Sequence, residues 1–357
     1  MWYILSWAVW VLRHAFDQTF APAPRFNVDD DIPDLTGKVV LVTGGNTGIG
    51  YEICLTSLRK GAKVYMACRS EEKAREAIHR LRETLSTTTT SDINITYLPL
   101  DLSSLSSIHT FAAQFLEKEE RLDVLFCNAG VMIPDRREIT KEGYDMQFGV
   151  NVLGHHVLVG LLKPALTKIN TSESNDKNRI IFLSSIGHTL FPPWYTQAFV
   201  PSLTVPGPAR DGFGSGWPTG GIGLWGLYGH SKMGNILSAR WFQKELGDSV
   251  VVTACHPGLI STELYRTTPS FLTLFTSPVS KPPSYGALTP LYLGFSPETS
   301  TSASGGRYYV PWAREVPGSL DVRARGEEGM RQAEVLDRWV RECVRKWEAE
   351  SGGRGNL

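Results

Sequence analysis

From Thr36 onward, short runs of valine, isoleucine and leucine alternate with longer amphipathic segments. The short runs predict strands at residues 38–43, 63–67, 93–98, 123–127, 179–183 and 250–254, with a weaker seventh at 307–310. The segments between them predict helices at residues 49–60, 71–85, 104–119, 142–168, 225–246 and 284–294. Strands that alternate with helices are typical of a parallel sheet covered on both faces. The pattern therefore predicts an α/β fold with one doubly wound parallel sheet.

The same pattern divides the chain into three regions. Residues 1–35 are an apolar segment with a Pro/Asp-rich linker, residues 36–312 are the domain that carries the sheet, and residues 313–357 are a C-terminal extension. Helical spacing of apolar residues at 327–348 predicts a closing helix in that extension. Residues 186–224 interrupt the alternation with an insertion rich in glycine, proline and aromatic residues. Its length favours a functional loop, and a partly disordered surface insertion is the alternative.

The N-terminal segment is unusually apolar. Residues 2–12 contain three tryptophans and end at Arg13-His14. The run is too short to cross a bilayer, which takes about 20 residues. Because tryptophan rings favour the membrane interface, one interpretation is a monotopic anchor that makes a peripheral membrane contact. The other interpretation is a helix packed on the protein's own surface.

Charge and cysteine content narrow the range of partners. The chain has 36 basic and 36 acidic residues, so it has no global field that would attract nucleic acid, and small or neutral partners are favoured. The odd number of scattered cysteines predicts buried free thiols in a reducing, cytoplasmic compartment, with the cytosolic face of a membrane as a variant. The five are Cys54, Cys68, Cys127, Cys255 and Cys343. Their spacing does not suggest a metal site.

A glycine-rich turn follows the first predicted strand. It reads Thr43-Gly44-Gly45-Asn46-Thr47-Gly48-Ile49-Gly50 and leads into a predicted helix. Glycines permit a tight turn and allow the backbone to approach a pyrophosphate at the helix N-terminus, where free amides favour negative charge. Strand, turn and helix occur in the order that dinucleotide binding requires.

Further candidate ligands stand at the ends of later strands. An NAD-selective site would have an acidic residue after the second strand, whereas Arg69 occupies that position. Because a guanidinium suits a 2′-phosphate, the sequence predicts NADP(H) as the cofactor. Asp101-Leu102 follows the third strand and Asn128-Ala129-Gly130 follows the fourth. Open parallel sheets bind ligands at these carboxyl ends.

Tyr228 and Lys232 are four residues apart within the predicted helix 225–246. At this spacing the two side chains share one face of the helix. A cation close to a phenol favours its ionised form, so Lys232 is expected to lower the pKa of Tyr228 toward neutrality. A phenol tuned in this way can give a proton to a carbonyl oxygen.

Together these motifs resemble the classical short-chain dehydrogenase/reductase family. The match consists of Thr43-Gly44-x-x-x-Gly48-Ile49-Gly50, Asn128-Ala129-Gly130, Asn151, Ser185, Tyr228-x-x-x-Lys232 and Pro257-Gly258, in this order. It covers residues 36–310, and the combination is far more specific than any single motif. The chain is most similar to the retinol-dehydrogenase-like branch, through Ala67-Cys68-Arg69-Ser70, Cys127-Asn-Ala-Gly-Val-Met132 and Tyr228-Gly-His-Ser-Lys232. The resemblance implies a Rossmann fold.

The resemblance also implies a role for each site residue. Tyr228 would exchange a proton with the substrate oxygen, Lys232 would support Tyr228 and the nicotinamide ribose, and Ser185 would hold the substrate oxygen. Asn151 would organise a water relay toward Lys232, and His256 is expected to be structural. The residues implied to contact NADP(H), besides Tyr228 and Lys232, are Gly44, Asn46, Thr47, Gly48, Ile49, Gly50, Arg69, Asp101, Leu102, Asn128, Ala129, Gly130, Gly258, Ile260 and Thr262.

The chain departs from the family in the spacing between Ser185 and Tyr228, where the family has a short loop and this chain has the insertion. Apolar residues at 264–265 and 271–275 occupy the family's substrate lid, unless they pack on the core or on an oligomer partner. Apolar lining on both sides favours a bulky lipophilic substrate, of retinoid, steroid, polyketide or terpenoid type.

The resulting hypothesis is an NADP(H)-dependent oxidoreductase that acts on a CH–OH group or the corresponding carbonyl, within a specialised biosynthetic pathway or in general retinoid-like metabolism. The alternative is a non-catalytic NADP-binding protein at a membrane surface. The oligomeric state is left open.

Overall fold

A computed structural model describes residues 2–86, 93–135, 138–168, 177–191, 195–206, 223–262 and 280–352. The strands are β1 Val39–Thr43, β2 Lys63–Cys68, β3 Ile95–Pro99, β4 Val124–Cys127, β5 Asn178–Leu183, β6 Val250–Cys255 and β7 Tyr308–Tyr309. They form one parallel sheet in the order β3-β2-β1-β4-β5-β6-β7. All seven predicted strands are present within two residues of the expected ends. The order reverses between β1 and β4, the kind of crevice where open sheets bind nucleotides.

The helices cover both faces of the sheet. They are α1 Trp2–Thr19, α2 Val28–Asp31, α3 Gly48–Arg59, α4 Glu71–Ser86, α5 Leu105–Lys118, α6 Met146–Phe148, α7 His155–Leu166, α8 Gly223–Leu246, α9 Pro283–Phe295 and α10 Gly326–Glu350. The continuous helix predicted at 142–168 is wrong in one respect. The Asp145 carboxylate accepts the N–H of Phe148 and starts the helix there, and a π-helical turn at Gly149–Gly154 separates α6 from α7.

Alternation along β1 divides the interior into two hydrophobic cores. Val40 and Val42 belong to the core that α3, α4 and α9 cover. Val39 and Leu41 belong to the core that α5, α7, α8 and α10 cover. Because every residue of β1 is buried, the strand is an almost continuous apolar run, as expected at the centre of a doubly wound sheet.

Helix α1 packs on the surface of the protein. The indole N–H of Trp10 donates to the carbonyl oxygen of Gly318 at 2.9 Å, and Asp17 forms an ion pair with Arg314 at 3.2 Å. His14 and Gln18 are buried in the contact. Among the described helices, none is long and apolar enough to cross a bilayer.

The described part of the insertion belongs to the core. Phe191 and Phe199 are fully buried, and their ring centres lie 5.1 and 5.9 Å from that of His230 in α8. The Arg323 guanidinium lies 4.8 Å from the Phe191 ring centre and donates to the Phe191 carbonyl oxygen at 3.0 Å. This part is therefore a fixed wall beside the helix that carries Tyr228. The aromatic residues Trp194, Phe213 and Trp217, and the lid residues 264–265 and 271–275, lie outside the described residues.

Candidate active site

The glycine-rich turn connects β1 to α3 in the geometry that a phosphate requires. Gly44 and Gly48 have φ of 67° and 56°, which side chains rarely permit. A Cβ at Gly50 would lie 2.3 Å from the carbonyl oxygen of Gly44, so the helix and the turn approach each other too closely for any side chain. The first turn of α3 has no acidic residue, and Thr47 makes no capping bond. The free amides at this end therefore fit an anionic group.

Asn128 and Thr43 fix the turn against the next strand. The side-chain nitrogen Nδ2 of Asn128 donates to the carbonyl oxygen of Thr43 at 2.8 Å. The Thr43 hydroxyl in turn accepts the backbone N–H groups of Asn128 and Ala129 at 2.9 and 3.0 Å. These bonds hold the ends of β1 and β4 together at the crevice, and Asn128 acts mainly through the backbone that it positions.

Residues at the ends of β2 and β3 border the same edge of the sheet. Arg69 is exposed directly after β2, where its guanidinium is available to an anionic ligand. The Asp101 carboxylate accepts from both the hydroxyl and the backbone N–H of Ser103, at 2.6 and 3.0 Å. Leu102 is buried against Gly154, so it lies in the core beneath the crevice. Asn46 and Thr47 occupy the turn before α3.

Tyr228 and Lys232 project from the same side of α8. The ammonium nitrogen of Lys232 lies 5.7 Å from the centre of the Tyr228 ring, and both residues are buried. That nitrogen donates to the carbonyl oxygen of Leu183 at 2.9 Å, which anchors it to the end of β5. Burial lowers the pKa of Lys232 to about 8, against a smaller upward effect of Cys255. At neutral pH the site therefore retains a cation close to a phenol.

The two serines at the end of β5 have different surroundings. The Ser184 hydroxyl points into the core and donates to the carbonyl oxygen of Lys232 at 2.7 Å. The Ser185 hydroxyl lies beside Gly187, whose N–H it accepts at 3.0 Å. A Cβ built on Gly187 would lie 3.3 Å from the Ser185 hydroxyl and 2.7 Å from the Tyr228 ring. Of the two serines, Ser185 is thus the one that shares space with Tyr228.

Asn151 lies in the π-helical turn and bridges three elements. Its side-chain oxygen accepts the N–H of Val131 at 2.8 Å, and its nitrogen donates to the Val131 carbonyl oxygen at 3.0 Å and to the Ser231 hydroxyl at 2.9 Å. A Cβ at Gly130 would lie 3.2 Å from the Asn151 oxygen and 3.6 Å from the Lys232 nitrogen. Asn151 and Lys232 therefore meet at Gly130, on the floor of the crevice.

The loop after β6 reaches the glycine-rich turn from the opposite side. The Thr262 methyl group would lie 3.3 Å from a Cβ at Gly48. Ile49 and Ile260 both pack on Gly286 of α9, where a Cβ would lie 2.8 and 2.9 Å from them. The loop turns at Gly258, whose φ is 97°, and the Gly258 N–H donates to His256 at 3.3 Å. This bond and the burial of His256 agree with the expected structural role.

Three further residues complete the site. His155 bonds through one ring nitrogen to the Thr43 hydroxyl at 2.9 Å and through the other to the Asn151 carbonyl oxygen at 3.1 Å, and burial lowers its pKa to about 4. The Ser231 hydroxyl donates to the Tyr228 carbonyl oxygen at 2.8 Å. Gly187 leaves the space that the Tyr228 ring fills. Sequence reasoning missed these roles because each depends on a contact between distant segments or on an absent side chain.

The assembled site combines an anion-binding turn with a phenol, an ammonium and a hydroxyl at the carboxyl edge of one sheet. Such an arrangement suits proton transfer to or from an oxygen beside a bound dinucleotide.

Comparisons with known proteins identify related chains. The family profile described as short chain dehydrogenase matches residues 38–195. A short-chain dehydrogenase/reductase from Armillaria gallica is 40% identical over 298 residues, which are 83% of this chain and 88% of the relative. Human retinol dehydrogenase 13 is 35% identical over 322 residues, 89% of this chain and 84% of that protein. The solved Pseudomonas aeruginosa RhlG/NADP complex is 22% identical with a TM-score of 0.56, covers 80% of this chain and 98% of its own, and supports the fold alone.

Proposed function

The chain belongs to the short-chain dehydrogenase/reductase family, and on that basis we propose that it is an NADP(H)-dependent oxidoreductase that interconverts a carbonyl and an alcohol. The observation that carries the proposal is the convergence of Tyr228, Lys232 and Ser185 at one edge of the sheet. Gly187 brings the phenol and the Ser185 hydroxyl to the same space, and Lys232 stands behind the phenol.

In the reducing direction, the Ser185 hydroxyl donates to the substrate carbonyl oxygen and holds it beside Tyr228. NADPH, when bound, supplies the hydride that adds to the carbonyl carbon. The Tyr228 hydroxyl gives its proton to the oxygen, and the Lys232 ammonium stabilises the negative charge that remains on Tyr228. The Asn151 side chain bonds to Val131 and to Ser231, and these bonds fix the backbone beside Lys232. The oxidation uses the same groups in reverse.

The choice of NADP(H) rests on Arg69. The guanidinium is exposed directly after β2, at the same edge of the sheet as the glycine-rich turn. There it can pair with a 2′-phosphate. Gly50 packs so closely on Gly44 that no side chain covers the start of α3. The free backbone amides there can therefore bind the pyrophosphate. Solved structures with the same fold are described as NADP or NADPH complexes.

We assign a bulky lipophilic substrate to this enzyme. The support for this assignment is that a human relative is named retinol dehydrogenase 13, while the described insertion residues Phe191 and Phe199 are buried and hold the insertion against α8. Retinoid, steroid, polyketide and terpenoid carbonyls have the required shape and polarity. Five buried free cysteines suit a reducing, cytoplasmic location.

The test is NADPH oxidation by the purified full-length chain with a panel of lipophilic ketones and aldehydes. Turnover of at least one carbonyl is expected, and Tyr228→Phe should lower kcat about a hundredfold or more while it retains NADPH binding. Tyr285→Phe, at a partly exposed tyrosine of α9, is the matched control and should behave as wild type. NADPH binding without turnover of any member of the panel would support the non-catalytic alternative.

A further inference from the structure

Helix α1 has its polar side inside and its apolar side outside. His14 and Gln18, on the inner side, are only 7% and 3% exposed. On the opposite side, Leu5, Val9, Leu12, Phe16 and Phe20 are 57–69% exposed. Their spacing of three or four residues aligns them within about 80° of arc, because a helix turns about 100° per residue. We call these five residues the outer stripe.

The outer stripe is the largest group of exposed apolar side chains in the described part of the chain. It supplies five of the eleven large apolar residues that are exposed there. The helix beneath it is held firmly, since Trp10 bonds to Gly318 and Asp17 pairs with Arg314. The stripe is therefore a fixed surface of the folded protein, and exposure of this size marks an interaction site.

The charge around the stripe selects a lipid surface as its occupant. Trp7 and Trp10 lie on the inner side of α1, half-buried against residues 316–318. Arg13 is exposed beside Leu12, whereas Asp17, the acidic residue of α1, is paired with Arg314. The chain as a whole has no net charge, but the border of the stripe is locally positive and suits anionic headgroups.

A cavity on the inner side of α1 is a second, independent sign of a ligand. It has a volume of about 430 Å³ and lies between α1 and residues 316–325. Trp7, Arg13 and His14 line it from α1, and Val322 and Arg325 line it from the other side. The His14 ring nitrogen Nδ1 and the Trp7 indole nitrogen are buried without a hydrogen-bond partner. Asp17 and Asp321 line it as well, but each is paired with an arginine, so the exposed Arg13 gives the rim a positive charge that suits the headgroup of an amphiphile.

We infer that α1 is a monotopic membrane anchor: the outer stripe enters the interface of an anionic bilayer, and a lipid headgroup occupies the cavity beside Arg13. The axis of α1 lies in the plane of the membrane, since the helix is too short and too polar on its inner side to span it. Helix α1 also contacts the short helix Ile186–Leu190, which directly follows Ser185. The anchor thus brings the substrate side of the sheet close to the lipid surface. This inference does not depend on the proposed enzymatic activity.

The experiment measures co-sedimentation of the full-length chain with vesicles of phosphatidylcholine, with and without phosphatidylglycerol. Wild type should bind, and Leu12→Ser combined with Phe16→Ser should lower the partition coefficient about tenfold or more. The matched control is Ile139→Ser combined with Val205→Ser, two exposed apolar residues outside α1, and it should bind as wild type. The far-UV circular dichroism spectrum and the urea midpoint in vesicle-free buffer should be similar in all three proteins, which shows that each protein is folded.

Arg13→Gln separates the headgroup contribution. Binding to vesicles that contain phosphatidylglycerol should fall about fivefold, and binding to pure phosphatidylcholine should not change. The inference is overturned if wild type stays in the supernatant with both vesicles, or if the stripe variant sediments as wild type does. It is also overturned if wild type forms a concentration-dependent dimer that the stripe variant abolishes without any vesicle binding, because a second copy would then cover the stripe.

Discussion

Gly187 and Tyr228 are in direct contact: a Cβ on Gly187 would lie 2.7 Å from the Cε1 atom of the Tyr228 ring. The Tyr228 side chain is buried, so a methyl group at position 187 would displace the ring and its hydroxyl. The position of the phenol therefore depends on a missing side chain 41 residues earlier in the chain.

Gly187→Ala should lower kcat about ten- to a hundredfold, because a displacement of about 1 Å at a reacting group has an effect of this order. The KM for NADPH should change little, since the glycine-rich turn is remote from Gly187. Steady-state kinetics provides the measurement. Gly160→Ala is the matched control, because a Cβ there meets no atom within 4 Å, and it should preserve kcat. Equal kcat in the two variants would contradict the contact.

Arg69→Ala should raise the KM for NADPH about tenfold or more and leave that for NADH unchanged, because a charge-assisted bond to the 2′-phosphate is lost. The ratio of kcat/KM for the two cofactors is the quantity to compare. Arg82→Ala, at another exposed arginine, should leave the ratio as it is in wild type. An unchanged ratio in Arg69→Ala would show that the cofactor preference arises elsewhere.

Asn151→Ala should lower both stability and kcat. The N–H and the carbonyl oxygen of Val131 lose their partners, which costs about 1–3 kcal/mol of unfolding free energy. The control is Asn178→Ala, which removes a buried asparagine that bonds the Leu166 and Lys168 carbonyl oxygens at the start of β5. Urea unfolding should show a similar loss in both variants, and kcat should fall about tenfold or more only in Asn151→Ala. A parallel loss of kcat in both would reduce Asn151 to a purely structural role.

His230 should make stability depend on pH. Burial, with a smaller effect of Arg323, lowers the pKa of His230 to about 3, from 6.5 in the unfolded chain. As the pH falls below about 6.5, the His230 ring binds a proton in the unfolded chain but stays neutral in the folded protein. The free energy of unfolding therefore decreases as the pH falls. In His230→Phe this contribution disappears, so the slope of unfolding free energy between pH 6 and pH 4 should decrease by up to about 1.4 kcal/mol per pH unit.

Urea titrations at several pH values measure that slope. His230→Phe also loses the bond from the Val200 N–H, which should cost about 1 kcal/mol at neutral pH. The same slope in wild type and His230→Phe would mean that His230 is protonated in the folded state.

The sequence was sufficient for the elements whose cause is local. Alternating apolar runs predicted all seven strands, and the spacing of Tyr228 and Lys232 placed both on one face of α8. The glycine-rich turn and the start of α3 could also be predicted, because positive φ at Gly44 and Gly48 and the free helix amides are properties of that short segment.

The remaining parts depend on contacts that no short window contains. Thr43 and His155 are 112 residues apart, yet their bond connects the nucleotide crevice to the π-helical turn. Hydrophobic periodicity predicted one continuous helix at 142–168 because it takes no account of side-chain hydrogen bonds. The Asn151 side chain bonds to Val131 instead of facing solvent. In α1 the apolar pattern was visible, but the side that faces the protein is set by Trp10 and Asp17 and by partners more than 290 residues away.

The docking of α10 on α8 has a consequence for the synthesis of the protein. Buried residues of α10, among them Leu336 and Val340, cover the helix that carries Tyr228 and Lys232. Since α10 begins at Gly326 and α8 ends at Leu246, α8 is synthesised well before the helix that covers it. Until then, the apolar side of α8 stays uncovered in the nascent chain. A chain truncated before Gly326 would leave the apolar side of α8 permanently exposed. Chaperones would be expected to bind such a chain as they bind incompletely folded proteins.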